Sequence, residues 1–447
     1  MDTKLFRLYK LTLANFLNRF AMLLFRVSSK FCRMVILLAI YFDPSRSIFK
    51  KNFISLNRNH NNKLPPAFKQ KTFPFYSFAE GCKIIGKQIK FLNTNQTTIL
   101  SLPKVINSDF KIDPAYECEA NLPDTFIAEF ENAIIFSDTD LIMVQDRVLY
   151  DEISRNEKYI YGIKSPVIYQ INGNSVTIKL PKKPIKIINF GIHFTKDHSK
   201  NYFHWIIECL PRLSLIDNLD KNIPLIVDYD LPNQFFEALL LVKGDRKVIK
   251  INKEFSYKVK KLYYPSQLSV LHDNYGLPRY DKDAIYSPKA INYVRNTILK
   301  NLNISPDKKN RKIYVSRKNS NYRQLLNSTE IENFLVKDGF EILFPENLSF
   351  ASQVEVFSQA KIIVGQSGAG MTNFIFAPIG CKVIMMAGDD PYTNLHGFHM
   401  LAKEVGIELK FLLGKRFNIT QPYALHADFC IDIQLLLNQL KVELSES

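Results

Sequence analysis

The sequence predicts an α/β protein in which two doubly wound units follow one another and face a cleft. Three observations carry that expectation. From Lys186 onward, short β-branched runs alternate with helical periods, the order that builds a parallel sheet with helices on both faces. The alternation comes as two series, KIINFGIH to KKLYYP and KIYVSR to ELKFLLG, parted by a polar gap near residues 265–288. A chain of 447 residues also accommodates two or three domains at ~150 residues each.

Each element follows from local signals. The stretch 44–75 is polar and proline-bearing and reads as a linker. Over 76–180, β-rich runs such as NAIIFSD, LIMVQD and RVLYD alternate with turns, and Asn172-Gly173-Asn174 inside PVIYQINGNSVTIKL marks a hairpin. KIINFGIH is then a strand, FHWIIECLPRLSLIDNL a helix kinked at Pro211, IPLIVDY a strand and PNQFFEALLLVKG a helix closed by Gly244. KVIKI and KKLYYP complete the first series, and INYVRNTILKNLNI is a helix beyond the polar gap. In the second series Asn327 stands where an N-cap is expected, with Glu330 three residues on, and Gly339 ends that helix. Ser349 caps FASQVEVFSQA, KIIVG and KVIMM are strands around a glycine loop with a short helix, and a last helix spans roughly 429–443. The resulting division is a basic segment and linker (1–60), an N-terminal lobe with a β-rich insertion (61–288), a C-terminal lobe (289–425) and a C-terminal helix (426–447).

Charge separates the first sixty residues from the rest. They hold eleven Lys and Arg against Asp2 and Asp43, so most of the net +16 lies there. On a helical wheel Lys4, Arg19, Arg26, Lys30 and Arg33 share one side and Leu, Phe and Met fill much of the remainder. The longest apolar run, MVILLAIYF, is half the ~18–20 residues a spanning helix needs. Recurrent charges and the lack of a small-residue cleavage site do not fit a signal peptide. Residues 1–42 therefore predict an amphipathic helix on an anionic membrane surface, with a packed surface helix or partner-binding arm as the alternative. Nucleic acid is not the expected partner, because the rest of the chain is only mildly basic and holds no recognised binding motif. Six scattered cysteines without CxxC spacing exclude a zinc ribbon and a disulfide framework and fit a reducing compartment.

Three segments hold chemistry. QSGAG, between strand KIIVG and helix MTNFIFA, puts Gly365, Gly368 and Gly370 where backbone N–H groups can approach an anion at a helix start. A turn needing only positive φ is the plainer explanation. YVSRKNSNYRQLLN leaves another strand of the same sheet and places Arg317 and Arg323 in its loop. Two guanidiniums above strand ends suit a diphosphate, whereas either alone is an ordinary solvated charge. In NYFHWIIECLPRL, His204 and Glu208 are four apart on one helix face, so a carboxylate can orient an imidazole base, or the two merely satisfy each other.

As an ordered set these segments resemble glycosyltransferase family 61, over roughly residues 186–390. The likeness also takes in the spacer GFEILFPENLSFASQVEVFSQAKIIVG and GAGMTNFIFAPIG. The resemblance implies a GT-B-like fold of two Rossmann-like lobes, a nucleotide-sugar donor, usually UDP-linked, and inversion without an obligatory metal or other cofactor. It implies that Arg317, Arg323 and Ser367, Gly368, Ala369 and Gly370 face the donor phosphates. Thr372 and Asn373 would lie at the helix start, and Asn201, His204 and Glu208 would line the acceptor side. One departure stands out: members commonly carry His directly before GAG, and here that position is Ser367, which can donate to a phosphate oxygen but carries no charge.

These readings predict a glycosyltransferase at the inner face of the cytoplasmic membrane, extending a capsular or lipopolysaccharide-type glycan or a lipid-linked acceptor. The alternatives are a pyruvyltransferase-like enzyme that modifies polysaccharide and a non-catalytic assembly subunit. Two rival metal signals are weaker. Asp138-Thr139-Asp140 matches the DxD pattern of metal-dependent transferases, but it sits between β-rich runs where Asp and Thr make turns. His396 and His399 form HxxH with no evident acidic partner.

Overall fold

A computed structural model describes residues 68–107, 118–150, 165–271, 284–306, 310–390, 395–417 and 426–445. The chain divides into two units, residues 1–69 and 70–447. The expected amphipathic helix and most of the expected linker fall in residues 1–67, outside the described residues. The linker's end is corrected: Phe68–Ser77 is a strand, with Phe73 and Phe75 turned into the core.

In the first α/β series, Val248–Ile251, Leu225–Asp228, Lys186–His193 and Tyr257–Pro265 lie side by side in parallel. The β-rich run is no separate insertion. Thr125–Ile135 pairs antiparallel with Tyr257–Pro265, and the same sheet continues through Ile142–Val144, Arg147–Tyr150, Phe68–Ser77, Ser175–Pro181 and Ile168–Asn172. The expected hairpin forms, with Asn172 opposite Ser175 and Gly173 at φ +52°, a conformation glycine adopts without steric cost. Phe78 of the short helix Phe78–Ile84 stacks on Tyr264 at 4.0 Å and covers one face.

The helix across the other face departs from a plain α-helix. Tyr202–His204 is α-helical, Trp205–Cys209 is a π turn, and Leu210–Ile216 is a 3₁₀ helix. Pro211 explains the change. It has no N–H to give, and its ring would strike the carbonyl one turn back, so the ladder widens before it and tightens after it. Arg212 fixes this helix over the carboxyl ends of two strands. Its buried guanidinium donates to the carbonyl oxygens of Pro265 at 2.9 Å and His193 at 3.1 Å. Trp205 fills the space beneath, its indole N–H donating to the Phe235 carbonyl at 3.0 Å.

The second series builds the parallel sheet that its alternation predicts. Its order is Glu341–Leu343, Arg311–Val315, Ala360–Gln366, Lys382–Gly388, Glu408–Phe417. Winding reverses between Arg311–Val315 and Ala360–Gln366, which makes their carboxyl ends the topological switch point. Two further strands pair with Glu408–Phe417: Lys104–Val105 from far upstream, in parallel, and Asp428–Cys430, antiparallel. Asn107 extends the upstream pairing with its side chain, donating to the Leu413 carbonyl at 2.7 Å and accepting from the Leu413 N–H at 3.1 Å.

Several details differ from expectation. The last helix starts at Ile433 rather than near 429, because Asp428–Cys430 is a strand. Asn327 precedes helix Ser328–Lys337 but does not cap it; its amide instead clasps the backbone of Ile431. Helix His396–Glu404, which carries the HxxH pair, is an element the sequence pattern does not announce. Ser349 does cap Phe350–Ser358, accepting from the Ser352 N–H at 3.1 Å. One apolar core runs without a break from the first sheet to the second, joining Ile192, Trp205 and Leu225 to Ile363, Phe374 and Met385.

If Arg212 holds the helix in place, Arg212→Met leaves buried carbonyls without donors. It should lower unfolding free energy by about 3 kcal/mol in urea titration, against under about 0.5 kcal/mol for the exposed Lys221→Met.

Candidate active site

At the switch point, strand Arg311–Val315 delivers Arg317 and strand Ala360–Gln366 delivers the glycine loop. The structure brings these together. The Arg317 guanidinium donates to the Ser367 carbonyl and, at 3.1 Å, to the Ser320 hydroxyl. A Cβ on Gly368 would lie 2.5 Å from Arg317 Nη1, so glycine is what lets the guanidinium rest on the backbone. Arg323 reaches the same place by a different route: its φ of +56° turns the chain, and its guanidinium and that of Arg317 lie 5.4 and 5.9 Å from the Tyr322 ring centre. Tyr322 in turn stacks on His426 at 4.5 Å.

Among the described residues neither guanidinium forms an ion pair with a carboxylate, and Arg323 Nε is buried without a hydrogen-bond partner. Burial, with Arg323 beside it, pulls Arg317 down to about 10, and burial lowers Arg323. Two crowded cations gain from any anion placed between them. Beyond them, Ala369–Phe376 is a 3₁₀ helix whose first N–H groups, those of Ala369 and Gly370, have no acceptor within the helix. Thr372 is fully buried, and its hydroxyl has no partner among the described residues.

His204 and Glu208 meet as their spacing predicts. Nδ1 of His204 hydrogen-bonds Oε2 of Glu208, and the π turn carries the carboxylate inward. The other oxygen, Oε1, lies 3.9 Å from the Lys196 ammonium. Burial would raise the Glu208 pKa, but Lys196 and His204 outweigh it and hold the group below the usual carboxylate range. His198 stacks on the His204 ring at 5.1 Å. Asn201 takes the N-cap position of this helix, accepting from the Phe203 N–H at 3.0 Å.

A contact between helices joins the two groups of residues. The Tyr202 hydroxyl donates to Asn373 Oδ1 at 2.5 Å, and Asn373 Nδ2 donates to Gln353 Oε1 at 2.7 Å. Asn373 is thus fully engaged with protein partners, and it sets the imidazole-bearing helix against the glycine-loop helix. Tyr202, Lys196 and Tyr322 were missed in the sequence. A tyrosine on an apolar helix face reads as core, and a lysine in FTKDHSK reads as a solvated loop cation.

The rival motifs also find places. Asp138-Thr139-Asp140 is a turn, with Asp138 at φ +63° and paired to Lys200 at 2.8 Å. Asp140 is nonetheless buried and lies 3.7 Å from Lys196. His399 Nε2 shares a hydrogen bond with the Ser101 hydroxyl at 2.9 Å, and burial pulls its pKa down to about 4.

No curated protein matches the chain. Residues 202–384, which hold the imidazole–carboxylate pair, both arginines and the glycine loop, match the family model described as Glycosyltransferase 61, a match that supports this family and a glycosyltransferase activity.

Proposed function

We propose that the protein transfers a sugar from a nucleotide-sugar, UDP-linked as in most members of the family it resembles, to a hydroxyl of a glycan or lipid-linked acceptor. The observation that carries this reading is the pair of guanidiniums at the switch point that form no ion pair among the described residues, one of them laid on the glycine loop. In this mechanism Arg317, Arg323 and the N–H groups of Ala369 and Gly370 take up the negative charge that grows on the leaving diphosphate. His204, oriented by Glu208, accepts the proton of the attacking hydroxyl. Attack from the face opposite the nucleotide inverts the anomeric carbon. The Ser367 hydroxyl stands where the family commonly has histidine and supplies a neutral donor in place of a charged one. The loop helix begins at Ala369, so Thr372 and Asn373, expected at its start, lie one turn inside it and are fully buried, while Asn201 stands at the start of the acceptor-side helix. The two sheets would act as the lobes of a GT-B-like enzyme, and residues 1–42 would hold it against the inner face of the cytoplasmic membrane, where lipid-linked acceptors are displayed.

A nucleotide panel read by thermal shift tests the donor half. UDP, GDP or CMP should stabilise the protein, whereas stabilisation by phosphoenolpyruvate alone would replace this reading with pyruvyl transfer, and silence throughout would remove it. Arg317→Ala should lower kcat/KM by about 100-fold or more while the melting temperature barely moves. Equal losses in both would make the arginine structural. Gly368→Ala presses a methyl group against a flexible side-chain end, so it should raise donor KM about tenfold through displacement of Arg317. His204→Asn should lower kcat by roughly 100- to 10,000-fold with donor binding retained in the thermal-shift panel.

A further inference from the structure

The carboxylate that orients His204 is itself held from outside its helix. Lys196 lies in the loop after strand Lys186–His193, and its ammonium stands between Asp140 Oδ2 at 3.7 Å and Glu208 Oε1 at 3.9 Å. All three side chains are at most 9% exposed, so their charges act on one another with little solvent screening. Glu208 thus has one partner per oxygen: the Lys196 ammonium on Oε1 and the imidazole on Oε2. Asp140 Oδ2 also accepts from Gln267 Nε2 at 3.2 Å and from the Tyr264 hydroxyl at 3.4 Å, which fixes the far end of the row.

We infer that Lys196 is a positioning residue which, shared between Asp140 and Glu208, sets how strongly Glu208 holds a proton on His204. The inference rests on the reading of His204 as the base only for its effect on rate; its effect on the imidazole stands alone. Lys196 offsets part of the Glu208 charge and so eases proton release from His204. Asp140 draws Lys196 the other way and tempers that effect. Asp140, at the end of the Asp138-Thr139-Asp140 segment, would therefore act on the reacting proton through one lysine.

Among the described residues, several other titratable groups stand around the row. Burial and the adjacent Asp140 push Asp197 up to about 8, which leaves it largely protonated, and burial with Arg212 holds His193 at about 3 and neutral. Burial keeps the Tyr286 hydroxyl and the Cys209 thiol protonated. Asp228, lifted by burial only to about 6, keeps most of its negative charge at neutral pH and accepts hydrogen bonds from the Ser137 and Ser199 hydroxyls and the Asp138 N–H, and Asp138 is paired with Lys200. Arg212 adds a fixed positive charge near Asp140, and His198 lies against the His204 ring.

Opposite substitutions should move the imidazole in opposite directions. Histidine side-chain NMR on the full chain, with the His204 signal assigned by its loss in His204→Gln, gives its titration midpoint directly. Lys196→Met should raise that midpoint by about one unit and Asp140→Asn should lower it by about half a unit. Lys196→Arg should leave it near the unsubstituted value. Where Lys196→Met does not fold, Asp140→Asn and Lys196→Arg still decide the matter. Midpoints that stay fixed in both charge-removing variants, or that move in the same direction, overturn the inference. In a transfer assay the acid limb of kcat/KM should follow the same directions with donor KM unchanged. An unsubstituted protein that transfers no sugar would sink the transferase reading, while the titrations would still judge Lys196.

Discussion

The hydrogen bond from Tyr202 to Asn373 sets the geometry on which the rest of the site depends. Its two residues lie far apart in the chain, one at the start of the imidazole-bearing helix and the other in the glycine-loop helix. Asn373 uses its remaining N–H groups on Gln353 and on the Gly370 carbonyl, so its amide cannot turn without losing partners. The apolar surroundings reinforce it, with Phe235 and Phe350 5.5 and 6.4 Å from the Tyr202 ring. The imidazole–carboxylate pair and the corner of the two arginines and the glycine loop are thereby held in a fixed relation, which the proposed transfer between two separately bound substrates requires.

Burying charge beside that contact costs free energy unless each charge has a counterpart. The first sheet meets this with a row rather than with isolated pairs: Asp140, Lys196, Glu208 and His204 alternate in sign when the imidazole is protonated. The second sheet does the reverse, crowding Arg317 and Arg323 around one tyrosine with no carboxylate paired to either among the described residues. The contrast is informative. Charges that balance internally orient a side chain, whereas the crowding of like charges at a strand end underlies the proposal that a ligand sits there.

Much of this was legible in the sequence, for identifiable reasons. The parallel strands were readable because a fully buried strand needs an unbroken β-branched run, and KIIVG and KVIMM are such runs. The glycine loop could be placed because it sits directly after KIIVG, and the two arginines because they lie in the loop after the neighbouring strand Arg311–Val315. The His204–Glu208 contact followed from helical spacing, although the π turn that seats Glu208 did not, since its cause, Pro211, read only as a kink. Contacts between distant segments were illegible. Nothing local to Lys196 announces two carboxylates, and nothing local to Tyr202 announces an asparagine on the other sheet. Asn327 was misread for the same reason: its sequence position is that of a cap, but a distant backbone at Ile431 claims the amide.

The upstream strand Lys104–Val105 has a mechanical consequence. The chain visits the first sheet with Lys90–Asn93, joins the second at Lys410 and Phe411, and returns to the first with Thr125–Ile135 before the second sheet's own strands begin. Three covalent crossings therefore tie the sheets together where simple tandem units would have one. Any swivel of one sheet against the other must stretch this stitch or unzip it, and a fragment cut at the polar gap would leave the edge of the second sheet bare from Lys410 to Leu413.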